Sequence, residues 1–268
     1  MSPRQPLRAA GANRVPRPGG VVGVVSEGGM LPAEEAQLDN PAYAALGGAH
    51  ARFAQVRGRA RRYADDVAPF LALPARPSAQ DWRDAADLVA PGTYVAVPYG
   101  AADLPDGWQA VRAFELVQMV EERVTGVRCP EAIALGSADV PEMLDLVAQT
   151  EPGPFLKRTV ELGDYLGIRR DGALVAMAGE RLRVAGWTEI SAVCTQAAYR
   201  GQGLASQLVG ALIAGIQRRS ERVFLHVLAT NAGAIRLYEE LGFRIRQNTT
   251  LTVVTRPLTP PMARSARS

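Results

Sequence analysis

Two glycines between an apolar run and an amphipathic segment constrain this chain more than any other feature. The run from Glu189 to Thr195 is rich in β-branched and apolar residues, which is typical of a buried strand. Apolar residues after Gly203 recur at helical spacing: Leu204, Leu208, Ala211, Leu212 and Ile216. Glycine accepts positive φ, and the first N–H groups of a helix lack partners within it. The sequence therefore predicts a binding site for an anion, above all a phosphate, where this helix begins.

Three known phosphate loops can be compared with this segment. A Walker loop needs Gly-Lys-Ser/Thr, but the single lysine of the chain, Lys157, lies far away. A Rossmann loop, G-x-G-x-x-G, ends in glycine where this chain has Ser206. Such a loop is followed by an acidic residue about 20 positions later, and Glu221 lies near that distance. The pattern Arg/Gln-x-x-Gly-x-Gly/Ala is matched in full by residues 200–205.

A second motif follows at residues 231–243, where the sequence matches N-x-x-A-x-x-x-Y-x-x-x-G-F. Asn231 is a suitable N-cap and Gly242 a suitable C-terminal stop for the helix between them. With both motifs, the chain resembles the GNAT superfamily of acyl-CoA-dependent N-acyltransferases over residues 187–245. The resemblance implies an α/β (α+β) fold, in which a mixed, mostly antiparallel sheet is flanked by helices.

The order β-α-β-β-β-α-β-α-β is predicted for residues 131–254, with Ser137 as N-cap of the first helix and a hairpin at Asp171-Gly172. We expect a GNAT domain over residues 129–256. Residues 31–128 predict a smaller α/β domain, with a helix at 81–88 and short strands at 93–97 and 108–111. We expect that domain either to be a degenerate second copy of the fold, with a structural or substrate-shaping role, or to give simple packing support.

The composition, 47% hydrophobic and 21% charged residues, is that of a soluble globular protein, and no apolar run predicts a membrane span. Residues 1–30 predict a disordered basic tail, with Met30 as an alternative start, and residues 257–268 a flexible tail. Nine of the 30 basic residues lie in the acid-free ends: Arg4, Arg8, Arg14, Arg17, Arg244, Arg246, Arg256, Arg264 and Arg267. The middle holds the other 21 against 27 acidic residues, which disfavours a nucleic-acid partner and favours a cationic amine.

Cys129 and Cys194 give neither a disulfide framework nor metal-ligand spacing, so we expect reducing cytoplasm.

Acetyl-CoA is the cosubstrate that the resemblance implies, with no metal. The backbone amides of the loop would hold the pyrophosphate, and Arg200 would add a charged contact. Asn231 would contact the pantetheine arm, cap its helix, or do both. The expected CoA contacts are Val193, Cys194, Thr195, Arg200, Gly201, Gln202, Gly203, Leu204, Ala205, Ser206, Asn231, Ala234 and Tyr238.

Tyr238, at the signature position, is the expected general acid, because a phenol with a pKa of about 10 stays protonated at neutral pH and can donate to a thiolate. Glu189 is the expected general base, and Glu180 is its competitor. A carboxylate serves well as a base only if desolvation raises its pKa or a water relays the proton. His226 fits a core or sheet-face histidine better than a base. Cys194 lacks a base partner and fits core packing.

These assignments predict an N-acetyltransferase in which a primary amine attacks acetyl-CoA directly in a ternary complex. The acceptor is a small molecule or a peptide, and the protein a monomer or homodimer without a membrane partner. An acyl-CoA-binding sensor without catalysis and an acyltransferase for longer acyl groups are the alternatives.

Overall fold

The structure, a computed structural model, describes residues 33–99 and 104–258. The predicted tail at 1–30, the alternative start at Met30 and the segment after Leu258 lie outside these ranges. Within them, no helix combines the length and the apolar character needed to cross a membrane.

The N-terminal part forms a small three-stranded antiparallel sheet with helices around it. Its elements are a 3-10 helix (Ala33–Asp39), α1 (Pro41–Leu46), a short 3-10 turn (Ala51–Phe53), β1 (Ala54–Arg57), β2 (Ala60–Tyr63), β3 (Leu71–Ala72) and α2 (Ala79–Leu88). The predicted helix after Ser78 is confirmed as α2, because Ser78 and Asp81 form a reciprocal capping box at its start.

An eight-stranded sheet forms the rest of the molecule. The remaining elements are β4 (Tyr94–Pro98), β5 (Gln109–Glu121), β6 (Ile133–Leu135), α3 (Val140–Thr150), β7 (Tyr165–Arg170), β8 (Ala173–Val184), β9 (Trp187–Thr195), α4 (Leu204–Arg218), β10 (Arg222–Leu228), α5 (Ala232–Glu240) and β11 (Phe243–Thr255). The strand order is β4-β11-β5-β10-β9-β8-β7-β6. The pair β9 and β10 is parallel and the other neighbouring pairs are antiparallel, so the predicted fold class is confirmed.

The predicted order of strands and helices after residue 131 is also confirmed. Asp171 and Gly172 both have positive φ, as a tight hairpin between β7 and β8 requires. Ser137 is a correction, because it opens a 3-10 turn and Asp139 precedes α3 instead. There the Asp139 carboxylate accepts from the Gly136 amide, so the acid and not the serine organises this start.

Strand β5 is far longer than the short strand predicted at 108–111. It pairs with β10 on one side and β11 on the other, so strands from both sides of the expected boundary at 128 share one sheet. The division of the chain into domains stays a prediction.

The two faces of this sheet are covered by different parts of the chain. Ile190, Leu225 and Val227 lie in the apolar core beneath α4. Trp187 and Phe224 point to the other face and join a second core with α1 and the small sheet. Because alternate residues of a strand face opposite sides, Glu189 and His226 share the face of the N-terminal segment.

Three arginines that the sequence grouped with a basic C-terminal end are integral to the fold. Arg244 and Arg246 lie in β11, and both form ion pairs with Glu35. Arg256 donates to the backbone carbonyls at residues 86 and 89. Their guanidinium groups are therefore paired within the fold and do not form a basic tail.

Candidate active site

The glycine loop leads from the end of β9 into α4. Gly201 and Gly203 have φ of 78° and 75°, and Gly203 is the N-cap without any side-chain cap. A Cβ placed on Gly201 would meet nothing within 4 Å, so open space and not packing surrounds the turn. The glycines are needed for backbone conformation, and the first N–H groups of α4, which lack partners within the helix, begin beside this open space.

Strands β9 and β10 separate beside this loop. Their parallel pairing runs from Trp187 to Ile190 on β9 and ends at Leu225 on β10. Beyond Ile190, β9 continues to pair with β8 but has lost β10. The register against β8 shifts here, and Ala192 has φ of 53°. A bulge at this point bends β9 away from its parallel neighbour and leaves an opening between the two strands. We call it the strand opening.

The last residues of β9 carry one unpaired polar atom. The Thr195 hydroxyl is buried and has no hydrogen-bond partner among the described residues. A buried hydroxyl without a partner costs about 1–3 kcal/mol, so this atom suits a ligand that is not present. Val193 is half-buried, and Cys194 is buried in the core around α3. Burial raises the pKa of the Cys194 thiol, which agrees with packing and not with a nucleophile.

Arg200 is exposed, and its Nε donates to the Thr195 carbonyl at 3.3 Å. No acidic side chain in the described ranges forms an ion pair with it. Its guanidinium is therefore available for an anion beside the loop.

Helix α5 supplies the residues of the second motif. The Asn231 side chain accepts from the Ala234 amide at 3.1 Å, which confirms it as the N-cap. Gly242 has φ of 95° just after the helix and confirms the predicted stop. Tyr238 is the buried residue of α5, and its ring packs edge-on against Phe243 in the core beneath α4. Burial raises the pKa of Tyr238 to about 12, so its hydroxyl keeps its proton at neutral pH.

Glu189 is fully buried and holds three hydrogen bonds. Arg181 donates to both carboxylate oxygens at 2.8 and 2.6 Å, and His226 Nδ1 lies 2.7 Å from Oε1. Burial by itself raises the pKa of Glu189, but the charge and hydrogen bonds of Arg181, assisted by His226, lower it to about 2. The predicted base needs a raised pKa, so this environment favours a fixed negative charge over a proton acceptor. Its role as base stays a prediction.

Its competitor Glu180 is also buried and also paired. Arg219, just after α4, donates to it at 2.7 Å. Burial raises the pKa of Glu180, and the hydrogen bond and charge of Arg219 offset part of this effect. Arg219 further pairs with Asp164 and Glu221, so Glu180 belongs to an ion cluster at the C-terminal end of α4. That end is opposite to the glycine loop.

His226 connects Glu189 to residues that no motif had marked. Its Nε2 lies 2.7 Å from the Tyr99 hydroxyl and 3.2 Å from Gln118 Nε2. Gln118 also donates to the Tyr99 oxygen, and its own oxygen accepts from Arg246 at 2.9 Å. Tyr99 directly follows β4, and the other groups lie on β5, β9, β10 and β11, so only the fold could reveal them.

Comparison with known proteins identifies the family. A family model described as FR47-like protein matches residues 165–252. A solved structure assigned as a GNAT-family acetyltransferase, from Novosphingobium aromaticivorans DSM 12444, is 39% identical, with a TM-score of 0.74. The alignment covers 82% of this chain and 98% of that chain. This chain belongs to the GNAT family of acetyltransferases.

A GNAT fold is also seen in the GCN5-related N-acetyltransferase from Kribbella flavida, which is 18% identical with a TM-score of 0.54. That alignment covers 81% of this chain and 94% of the other. The search of curated proteins gave no match.

GNAT proteins use acetyl-CoA as cosubstrate, and this chain's residues fit that molecule. The strand opening offers an unpaired strand edge for an amide-bearing arm, and the Thr195 hydroxyl lacks a partner. The glycine loop and Arg200 offer N–H groups and a positive charge to a pyrophosphate. The described residues contain no cluster of His, Cys, Asp or Glu suited to a metal ion.

Proposed function

We propose that this protein is an N-acetyltransferase that moves the acetyl group of acetyl-CoA to a primary amine by direct attack in a ternary complex. The observation that carries the proposal is the strand opening beside an uncapped, glycine-led helix start. An extended donor molecule can bind there along an unpaired strand edge with its phosphates at the helix. The acceptor is a small molecule or a peptide. The reducing cytoplasmic location and the monomeric or homodimeric state belong to the same proposal.

In this mechanism the two faces of the sheet have separate tasks. Tyr238, in the core under α4, holds a proton that can be given to the departing thiolate. The pair Glu189 and His226, on the other face, provides a negative charge and a ring nitrogen where the attacking amine must lose a proton. Positioning both substrates at the opening contributes most of the rate.

The first experiment is a calorimetric titration with acetyl-CoA, followed in the same sample by a free-thiol assay over a panel of amines. Binding with thiol release that depends on an amine supports the proposal. Binding without release from any amine favours the acyl-CoA sensor, and absence of binding contradicts the phosphate site itself. Replacing acetyl-CoA by longer acyl-CoA donors tests the acyl preference.

Thr195→Val tests the donor site independently of turnover. Removing an unpaired buried hydroxyl should stabilise the ligand-free protein by about 1 kcal/mol, whereas loss of a ligand contact should weaken CoA binding about two- to tenfold. Thr188→Val is the matched control on the same strand, because its hydroxyl already donates to Glu221 at 2.7 Å. That variant should lose stability and keep its CoA affinity. Unchanged CoA affinity in Thr195→Val would contradict the ligand contact.

Tyr238→Phe tests the acid. We expect turnover to fall by about 10²–10⁴-fold with CoA affinity nearly unchanged, because only the proton donor is removed. Tyr94→Phe, at an exposed position of β4, is the control for loss of a tyrosine hydroxyl. Wild-type turnover in Tyr238→Phe would remove the acid assignment.

A further inference from the structure

The hydrogen bonds around His226 fix the direction in which a proton can move. Glu189 is a carboxylate, so His226 Nδ1 must carry the hydrogen that bridges the two groups. The lone pair is then on Nε2, and it faces the Tyr99 hydroxyl at 2.7 Å. Gln118 donates to the Tyr99 oxygen, so the phenolic hydrogen is directed at His226. The chain Tyr99, His226, Glu189 is therefore aligned to pass a proton inward.

Tyr99 is also part of a cavity wall. The cavity has a volume of about 230 Å³ and lies between the first 3-10 helix, the loop before α2 and the end of β4. Its wall combines the apolar side chains of Leu73, Trp82 and Val97 with the polar groups of Asp39, Asn40 and Tyr99. Pockets for drug-sized ligands occupy roughly 300–1,000 Å³, so this cavity suits a smaller molecule.

His226 lies where the cavity side meets the strand opening. Its neighbour Leu225 pairs with Ile190 in the last register position before β9 and β10 separate. Leu225 and Val227 face the α4 core, so the imidazole between them points to the N-terminal face, and its side chain is 8% exposed. Tyr99 thus links the cavity wall to His226, and His226 follows the last paired position before the strand opening.

We propose that this cavity binds the acceptor, a small primary amine with a compact apolar body, and that Tyr99 and His226 remove its proton during acetyl transfer. The proposal rests on the acetyltransferase function proposed above. The amine nitrogen attacks the thioester carbon, the carbon–sulfur bond breaks, and the thiolate takes the Tyr238 proton. The amine proton goes to the Tyr99 oxygen as the phenolic proton goes to His226 Nε2. The imidazolium so formed is balanced by the Glu189 carboxylate.

Several charged groups surround this relay. Glu189 and Arg181 face His226 from β9 and β8, while Arg246 and Asp39 lie near Tyr99 from β11 and the 3-10 helix. Burial, with the negative charge of Glu189, raises the pKa of Tyr99, so the phenol does not ionise alone near neutral pH. The proton must therefore continue to His226. In this assignment Glu189 is a positioning residue, and Tyr99 is the group that touches the amine.

The first test compares Tyr99→Phe with the exposed control Tyr94→Phe. Wild-type transfer to a small primary amine must be measured first, because its absence would contradict the proposed function and not this relay. We expect Tyr99→Phe to lower kcat by about 10²-fold, with acetyl-CoA affinity retained, since the ring remains and the hydroxyl is lost. Tyr94→Phe should keep wild-type rates. A kcat within twofold of wild type in Tyr99→Phe would overturn the relay.

His226→Gln adds a measurement that a structural role would not change. Glutamine keeps hydrogen-bonding capacity but cannot accept the proton, so most of the rate should be lost, and added imidazole, which can accept the proton, should restore part of it. Acetyl-CoA affinity, measured by titration, reports whether the fold is intact. A rate within twofold of that of the wild type would contradict the assignment to His226.

Ala75→Phe tests the cavity itself. Ala75 is exposed at the cavity wall, so a phenyl ring there can occupy the space without disturbing the core. We expect KM for the amine to rise at least tenfold while KM for acetyl-CoA stays constant. Ala90→Phe, at an exposed position after α2, is the control and should keep wild-type constants. An unchanged amine KM in Ala75→Phe would place the acceptor elsewhere.

Discussion

The two faces of the main sheet are built on opposite principles. Under α4 the core is apolar, apart from the buried Tyr238 hydroxyl and the ion cluster of Glu180, Arg219 and Glu221 at the C-terminal end of the helix. On the N-terminal face, a buried network of charged and polar groups runs from Arg181 and Glu189 through His226 and Gln118 to Arg246 and Glu35. Hydrophobic burial is non-directional, whereas buried charges stabilise only when each keeps its partner. The first face contributes mainly to stability, whereas the second holds polar side chains in defined positions.

This contrast explains why the face with the charges is also the one covered by the N-terminal segment. Glu35 binds two arginines of β11, and Leu38 accepts from Gln118, so the first 3-10 helix is attached directly to the polar network. Water excluded by this cover would otherwise weaken every ion pair beneath it. The N-terminal segment therefore covers the polar face of the sheet as α4 covers the apolar face.

The largest expected effect comes from breaking a buried ion pair on the polar face. Arg181→Met leaves Glu189 without its main partner in a fully buried site, and we expect a loss of about 3–5 kcal/mol of unfolding free energy. Urea denaturation measures this loss. The double variant Arg181→Met/Glu189→Gln should recover much of the stability, because no uncompensated charge remains. If the double variant is as unstable as the single one, the charge argument is wrong.

Leu208→Ala tests the apolar face. Leu208 is completely buried in α4, so truncation removes apolar contact and leaves a cavity, at a cost of about 2–5 kcal/mol. The same denaturation experiment applies. Unlike Arg181→Met, this variant should keep the wild-type pH profile of any acetyl transfer, because it removes only apolar atoms and no charge. A changed profile would show that the two faces are coupled.

The sequence predicted the elements whose signals are local. The glycine loop, the Asp171-Gly172 hairpin and the Asn231 cap depend on backbone conformation within a few residues, and all three lie where expected. The course of β5 was not predictable in this way. Its pairing with β10 joins residues such as Val120 and Phe224, which are distant in the chain, and its first residues are exposed.

The polar half of the candidate site was missed for the same reason. Tyr99 sits at the end of a short strand, and Gln118 within a long one, with no motif around either. Their roles arise from meeting His226, which the sequence presented as a core histidine between two apolar neighbours. Glu189 was singled out, but its partner Arg181 was not, and that partner reverses the expected direction of the pKa shift.

The pH dependence of stability offers a third comparison, within the polar face. Burial lowers the pKa of His50 to about 4, from an unfolded value of about 6.5. Between these values the unfolded chain binds a proton and the folded protein does not, so unfolding free energy should fall as pH falls from 6.5 to 4. The maximum loss is about 3 kcal/mol. Glu189 contributes separately, below about pH 4.5, where its carboxylate becomes protonated in the unfolded chain.

Thermal unfolding between pH 7 and 5 isolates the histidine contribution, because the carboxylates of the unfolded chain remain largely ionised there. The chain has two histidines, so His50→Gln separates His50 from His226. The variant should lose most of the pH dependence seen for the wild type in this interval. An equal slope in both proteins would show that His50 does not cause the effect.

The smallest expected effect compares two glycines of one helix. Gly203 has positive φ at the start of α4, so Gly203→Ala forces a side chain into the left-handed region and should cost about 1–2 kcal/mol. Gly215 lies inside the same helix, and an added Cβ would meet only Arg218 at 3.7 Å. Gly215→Ala should therefore stabilise the protein by about 0.5–1 kcal/mol. Changes of opposite sign in the free energy of unfolding, with CoA affinity weakened only in Gly203→Ala, would support a role of the loop backbone in donor binding. If both substitutions changed the free energy of unfolding in the same direction, the left-handed conformation of Gly203 would not be the cause, and packing around α4 would explain both effects.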